Sequence, residues 1–183
     1  NRVVLIGDSH AMMLSSPIRR AAVGKGWRFV TMIKAACPAM IGLHPAGQRI
    51  WNKGKTCRNW QWKVMDRLKA SPPDLIIIVS SDRYSLVTAK GKAIHRSQYT
   101  EWWRRSVKKT MAALPTSSEV LFLGPIPHNY LNPRKCMRDN RNDMSKCVSP
   151  KAGPSGRKVE TALREAAAVH GAHFRTLYGK ICS

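Results

Sequence analysis

Residues 2–10 read Arg-Val-Val-Leu-Ile-Gly-Asp-Ser-His and decide the fold class. A short apolar run that ends in glycine is typical of a buried strand in a parallel sheet. The stretch that follows carries apolar residues at helical spacing, and Gly24 and Gly26 are expected to end this helix. We expect Pro17 to break the start of the helix, because proline lacks the N–H that a helix interior uses. The chain therefore opens with a strand–turn–helix unit.

The same alternation repeats along the chain. Strand patterns cover residues 27–33, 74–80, 119–124 and 173–178, and helical patterns cover residues 57–69, 98–114 and 155–170. Loops are expected over the polar segments 34–56, 81–96 and 125–154. Strands that alternate with helices predict an α/β fold, a three-layer sandwich with a mostly parallel five-stranded sheet. We expect residues 1–183 to form a single domain.

The chain is strongly basic, with 32 Lys and Arg against 10 Asp and Glu and a formal net charge of +22. This charge predicts either an acidic partner, namely nucleic acid, an anionic lipid surface or an anionic cell-wall polymer, or a solvated basic surface. Hydrophobic residues make up 43% of the chain, which excludes a disordered protein. No apolar run has the length of a membrane span. Because neither a signal peptide nor an initiator Met opens the sequence, we expect a domain cut from a longer protein.

The cysteines indicate the compartment. Cys37 and Cys57 bracket one polar loop, and Cys136 and Cys147 bracket another. No Cys-x-x-Cys and no zinc-type Cys/His spacing occurs, and no metal site is expected. We predict disulfides 37–57 and 136–147 in an oxidising compartment, with Cys182 unpaired. The alternative is a set of reduced cysteines in a cytosolic protein.

The candidate site follows the first strand. Ligands of open parallel sheets bind at the carboxyl ends of the strands, where Gly7-Asp8-Ser9-His10 emerges. A serine on this turn has an exposed hydroxyl, and its backbone N–H lies near the positive end of the next helix. That arrangement suits a nucleophile. The alternative is that Ser9 only caps the helix.

The Gly-Asp-Ser-His block after an N-terminal strand resembles the first block of the SGNH (GDSL-type) hydrolases and esterases. Further segments narrow the resemblance: Cys37-Pro38 after the second strand, Ser81-Asp82-Arg83-Tyr84 after the third, and Gly-Pro-Ile-Pro at 124–127 after the fourth. Together they resemble the SGNH domain fused to the C-terminus of membrane acyltransferases of the acyltransferase-3 type, and this resemblance implies the SGNH-hydrolase (flavodoxin-like) type of three-layer sandwich. The resemblance covers essentially the whole chain, and only the Gly-Asp-Ser-His block is specific.

The resemblance implies roles for individual residues. Ser9 would be the nucleophile, and its N–H together with that of Ala36 would form an oxyanion hole. Further candidates near the reaction are Asp8, His10, Arg83 as an oxyanion or substrate contact, and His128 at the end of the fourth strand. The chain departs from the family in three ways. The family's Gly in the second block is replaced here by Ala36 or a neighbouring residue, and the Asn of the third block is absent. No Asp is followed by a His three positions later, although the family's base lies in such an Asp-x-x-His motif.

These features predict an extracytoplasmic domain, tethered to the membrane through its parent protein, that transfers an acyl group, acetyl in particular, to a cell-surface glycan through Ser9. The expected partners are the membrane acyltransferase domain of the same polypeptide and the glycan acceptor. No cofactor and no specific nucleic acid are expected. Two alternatives remain: a weakly catalytic or non-catalytic basic module that binds an anionic cell-wall polymer, and a secreted carbohydrate esterase. Because the chain stops at Ser183, we expect it to be truncated before the Asp-x-x-His motif and weakly active alone.

Overall fold

A computed structural model describes residues 1–46, 51–126, 133–147 and 154–178. The strands are β1 (Arg2–Gly7), β2 (Arg28–Ile33), β3 (His44–Pro45), β4 (Leu75–Val79), β5 (Leu86–Val87), β6 (Glu119–Leu123) and β7 (His173–Arg175). The helices are α1 (Ser9–Val23), α2 (Trp51–Ala70), α3 (Tyr99–Ala113), α4 (Pro133–Asp139) and α5 (Pro154–Val169). None of the helices in these ranges is long and apolar enough to span a lipid bilayer.

The main sheet has five parallel strands in the order β2-β1-β4-β6-β7, which confirms the predicted parallel sheet. Gly7, the last residue of β1, is in register with Ile33 of β2 on one side and Val79 of β4 on the other. The chain continues from β1 to the edge strand β2 and then crosses to the opposite side of β1, where β4, β6 and β7 are added in order. The topological switch point, where such sheets bind ligands, therefore lies between β1 and β4.

The layers follow from the alternation of side chains along the strands. Val4, Ile6 and Ile76 pack with residues of α2, α3 and α5 on one face of the sheet. Val3 and Leu5 pack with α1 on the other face. Helices therefore lie on both faces, as the three-layer prediction requires.

Three local predictions were wrong. Helix α1 runs unbroken from Ser9 to Val23 with Pro17 inside it, because burial of its apolar face against the sheet outweighs one lost hydrogen bond. Helix α2 begins at Trp51, within a segment that was predicted to be a loop. The sequence did not predict its first turns, because residues 51–56 show no apolar spacing. The predicted loops also contain the small antiparallel β3–β5 pair and α4.

Both predicted disulfides are present. Cys37 is bonded to Cys57 with the Cα atoms 5.5 Å apart, and Cys136 to Cys147 at 5.8 Å. The first bridge joins the loop after β2 to the seventh residue of α2. Cys182, which was predicted to be unpaired, lies outside the described residues.

Candidate active site

Ser9 is the first residue of α1 and follows β1 after one intervening residue. Its side chain is exposed at the carboxyl edge of the sheet, next to the switch point. Gly7 makes this tight exit possible, because a Cβ atom at residue 7 would overlap the carbonyl oxygen of Val79 and crowd Ala11. The backbone of β1 therefore approaches β4 and α1 at a distance that only glycine allows. The turn presents the Ser9 hydroxyl as predicted.

Asp8 lies beneath this turn and is fully buried. Its Oδ1 accepts a hydrogen bond from the N–H of His10 at 2.8 Å, which caps α1. Its Oδ2 accepts from the N–H of Ser81 at 2.8 Å and from the hydroxyl of Tyr84 at 2.7 Å. Burial raises the pKa of Tyr84, and the negative charge of Asp8 raises that pKa further. Asp8 thus joins the turn of Ser9 to the loop after β4, at the switch point itself.

Ala36 lies in the loop after β2, at the same edge of the sheet. Its φ angle is +56°, in the left-handed region that favours glycine, and it is the one non-glycine residue with positive φ in the described ranges. The loop leaves the sheet beside the turn of Ser9, since the N–H of Lys34 donates to the Gly7 carbonyl at 3.0 Å. Among the described residues, no hydrogen bond involves the N–H of Ala36. That N–H is therefore available to a ligand.

The segment that follows Ala36 is held from several sides. The amide nitrogen of Gln61, which is fully buried, donates to the carbonyls of Pro38, Met40 and Leu43 at 2.8–3.2 Å. Gln61 lies one helical turn after the bridged Cys57, so a covalent and a polar anchor share one face of α2. Two hydroxyls accept from backbone amides of the same segment, Ser80 from Ala39 and Thr110 from Ile41. Sequence reasoning missed these anchors, because a polar residue isolated in a helical pattern, such as Gln61 or Thr110, or at the end of a strand, such as Ser80, carries no local signal of its distant partner.

The remaining site candidates lie in different places. The side chain of Arg83 is exposed, and its backbone N–H donates to the Ser81 hydroxyl at 3.2 Å. His10 is partly buried at the second position of α1, directly after Ser9. His128 lies outside the described residues. The structure therefore places Ser9, Asp8, His10 and the loop of Arg83 together at the carboxyl edge.

The chain as a whole carries a large excess of positive charge. The acidic side chains are few, and several of them form ion pairs with Arg or Lys at the surface: Glu165 with Arg104, Glu101 with Arg105, and Asp139 with Lys135. Most of the basic residues are thus left without a carboxylate to balance them, which follows from the charge of +22. No group of three metal-ligating side chains lies together in the ranges that the structure describes.

A parallel sheet with this strand order, and a serine exposed on the turn after its first strand, is the arrangement expected of an SGNH-type domain. The chain belongs to the family described as "SGNH domain (fused to AT3 domains)", whose model matches residues 1–183. The resemblance predicted from the sequence is therefore confirmed. No curated protein matches the chain in sequence.

Solved structures share the fold at low sequence identity. The periplasmic domain of a lipopolysaccharide acetyltransferase from Salmonella serovar Paratyphi A has a TM-score of 0.67 and 17% identity, over 100% of this chain and 68% of that one. A carbohydrate acetylesterase from Sinorhizobium meliloti has a TM-score of 0.56 and 13% identity, over 96% and 83%. An acetyl xylan esterase has a TM-score of 0.51 and 10% identity, over 100% and 80%. These similarities confirm the predicted fold class.

Proposed function

We propose that this chain is the extracytoplasmic domain of a membrane O-acyltransferase and that it transfers an acyl group, acetyl in particular, to a hydroxyl of a cell-surface glycan. The observation that carries the proposal is the exposed Ser9 on the turn after β1, beside the switch point of the sheet. Membership in a family fused to AT3 domains supports the class of reaction. The solved neighbours act on acetylated or acetyl-accepting carbohydrates, as their names state.

In the first step, the Ser9 oxygen would attack the carbonyl carbon of the acyl donor. The new C–O bond gives a tetrahedral intermediate whose oxyanion the N–H groups of Ser9 and Ala36 would stabilise. Arg83 would add a positive charge near the same position. Collapse of the intermediate leaves an acyl ester on Ser9 and releases the protonated leaving group.

In the second step, a glycan hydroxyl would attack the acyl ester. The acyl group passes to the glycan oxygen, and Ser9 regains its proton. Both steps need a general base, which the family places in the Asp-x-x-His motif that this sequence lacks. We expect the chain alone to hydrolyse simple esters on the order of 10⁴-fold more slowly than an SGNH enzyme with its base.

The proposed location is the periplasmic or cell-wall side of the membrane. Three observations support it: fusion to AT3 domains in the family, two disulfides in the chain, and the periplasmic origin stated for one structural neighbour. The proposed donor of the acyl group is the membrane acyltransferase domain of the same polypeptide. The proposed acceptor is a glycan.

The test is covalent modification of Ser9 by a fluorophosphonate, which phosphonylates a nucleophilic serine and releases fluoride. Because the sequence lacks the family's general base, we expect slow labelling, and after long incubation peptide mass spectrometry should locate the adduct at Ser9. Ser9→Ala should remove it, and Ser97→Ala, which removes another exposed serine, should leave it unchanged. An adduct spread equally over exposed serines would contradict a nucleophilic role for Ser9.

The second candidate is a basic module that binds an anionic polymer without catalysis. The charge of +22 and the absence of Asp-x-x-His favour it. This candidate predicts binding that weakens steeply with salt and no specific adduct at Ser9.

A secreted esterase, in contrast, would hydrolyse acetylated sugars rapidly and lose this activity in Ser9→Ala.

A further inference from the structure

An open groove lies between α1 and the edge strand β2. Its volume is about 360 Å³, within the range of small-ligand sites. It is lined by Ser15, Ser16, Arg19, Phe29 and Thr31. No catalytic role proposed above involves these residues.

The lining combines three kinds of group that suit a sugar. Phe29 is a partly buried aromatic ring, which can pack against the C–H face of a pyranose. The hydroxyl of Thr31 has no hydrogen-bond partner in the described ranges, and Ser16 accepts only from Arg20, at 3.0 Å, which leaves its own O–H to donate. Such hydroxyls exchange hydrogen bonds with sugar hydroxyls.

Arg19 adds a charge to this lining. Its side chain is exposed, and within the described part of the chain it forms no ion pair or hydrogen bond. A guanidinium binds a carboxylate or a phosphate through two parallel N–H donors, which a neutral sugar does not match. The groove therefore favours a sugar that carries an anionic group.

The groove leads to the nucleophile. Ser9 and Ser16 are seven residues apart on α1, so they lie on nearly the same side of the helix, about 10 Å apart along its axis. Between them lies Met12, whose side chain is 52% exposed. On the opposite wall, Phe29 and Thr31 point to the same face of β2 as Ile33, whose register partner is Gly7. Both walls thus run from the groove to the turn of Ser9.

We propose that this groove is an acceptor subsite that binds an anionic sugar of the glycan, so that a neighbouring hydroxyl of the same glycan reaches Ser9. The inference rests on the proposed function, since it assigns the acceptor class to that reaction. Arg19 binds the acidic group, Phe29 packs against the ring, and Thr31 and Ser16 contact the hydroxyls. The acceptor is therefore an acidic polysaccharide or oligosaccharide, not a neutral one.

The test measures oligosaccharide binding by calorimetry, with the Ser9→Ala chain so that no transfer occurs. Three probes separate the chemistries: tetragalacturonate, which carries carboxylates, a tetrasaccharide with one phosphate monoester, and neutral maltotetraose. Arg19→Gln should weaken binding of an anionic probe about tenfold and leave the weak binding of maltotetraose unchanged. Phe29→Leu should weaken binding by removing the flat ring. The matched control is Arg28→Gln, which removes the same charge from an exposed residue on the other face of β2 and should change the Kd by less than about twofold.

Equal weakening by Arg28→Gln and Arg19→Gln would overturn the proposal, because binding would then depend on the charge of the whole surface. Equal affinity for maltotetraose and the anionic probes would overturn it as well, as would no binding of any probe at millimolar concentration. The anionic probe that responds to Arg19→Gln identifies the acidic group as carboxylate or phosphate. These outcomes do not depend on the Ser9 adduct. If no adduct forms at Ser9 but binding of an anionic probe still depends on Arg19, the proposed acyl transfer is rejected. The groove then remains a binding site for acidic glycans.

Discussion

The hydroxyl of Tyr84 donates a hydrogen bond of 2.7 Å to Oδ2 of Asp8, the residue that immediately precedes the candidate nucleophile. The two residues are 76 positions apart in sequence. Their contact joins the loops that leave β1 and β4, on the two sides of the switch point. Asp8 is fully buried, so water cannot stabilise its negative charge. The three hydrogen-bond donors, the N–H groups of His10 and Ser81 and the hydroxyl of Tyr84, stabilise that charge instead.

Tyr84→Phe removes one of these donors and leaves the ring in place. A hydrogen bond to a buried charged group contributes about 1.5–3 kcal/mol, and we expect the free energy of unfolding to fall by that amount. We also expect modification of Ser9 by the fluorophosphonate to slow by about tenfold, because the turn loses its fixed geometry. Urea unfolding and labelling kinetics measure the two effects.

The control for this prediction is Tyr99→Phe. The hydroxyl oxygen of Tyr99 accepts a hydrogen bond from the N–H of Leu86 at 3.0 Å, in the same loop region. In the described part of the chain, Tyr99 makes no hydrogen bond to Asp8. Its removal should cost about 1 kcal/mol and leave the labelling rate unchanged. Equal slowing in both variants would mean that general loss of stability, and not the contact with Asp8, controls the rate.

Substitutions of Ala36 should have opposite effects on stability. A non-glycine residue in the left-handed region costs roughly 1–2 kcal/mol, and the greater freedom of glycine in the unfolded chain offsets about 0.5–1 kcal/mol. Ala36→Gly should therefore stabilise the protein slightly and preserve the labelling of Ser9. Ala36→Val should destabilise it by about 1–3 kcal/mol, because a β-branched residue tolerates positive φ poorly. Equal destabilisation by both, measured by thermal unfolding, would argue against the left-handed conformation.

The two disulfides should differ in their effect on the site. Removing Cys37–Cys57, by replacing both residues with Ala, should lower the free energy of unfolding by roughly 3 kcal/mol and slow the labelling of Ser9, since this bridge holds the loop of Ala36. The matched variant, with Ala at residues 136 and 147, should lose stability and keep the labelling rate. Loss of labelling in the matched variant alone would contradict this assignment.

The stability of the fold should depend on pH through His44. This residue is buried, and its pKa is lowered by burial and then by the positive charges of Arg58 and Lys109. The unfolded chain, with a histidine pKa near 6.5, therefore binds a proton at a higher pH than the folded chain does. By linkage, the free energy of unfolding is highest above pH 6.5 and decreases as the pH falls below it.

Urea unfolding between pH 7.5 and about 5.5 tests this dependence. The variant His44→Gln should show a smaller decrease over this range than the unaltered protein. The exposed His95 provides the control, because His95→Gln should leave the decrease intact. An identical pH profile in His44→Gln would show that other groups cause it.

The features that the sequence predicted well are those encoded by neighbouring residues. The apolar run of β1 and the turn of Gly7 and Ser9 are continuous in the chain, so the strand and the exposed hydroxyl follow from local rules. The alternation of strands and helices predicted the parallel sheet for the same reason. The disulfides were predicted because each pair brackets a polar segment, and closure of such a segment brings its ends together.

The features that the sequence did not predict depend on distant residues. The contact of Tyr84 with Asp8 and the hydrogen bonds of Gln61 exist only once the sheet has brought the loops together. The first turns of α2 have no apolar spacing, and the bridge to Cys57 anchors the helix only a few residues later. At Pro17 the local sequence clearly predicted a broken helix, and this prediction was wrong. Packing of α1 against the sheet keeps the helix continuous there.

The sheet leaves β2 and β7 without a strand partner on their outer sides in the described part of the chain. Such edges can pair with the edge of another molecule and start aggregation. A charge of +22 on each molecule opposes this approach, because copies of the chain repel one another in dilute salt. Near 1 M salt the Debye length shrinks to about 3 Å, and this repulsion fades. Storage at low ionic strength should therefore keep the protein dispersed, and high salt should promote self-association through the exposed edges.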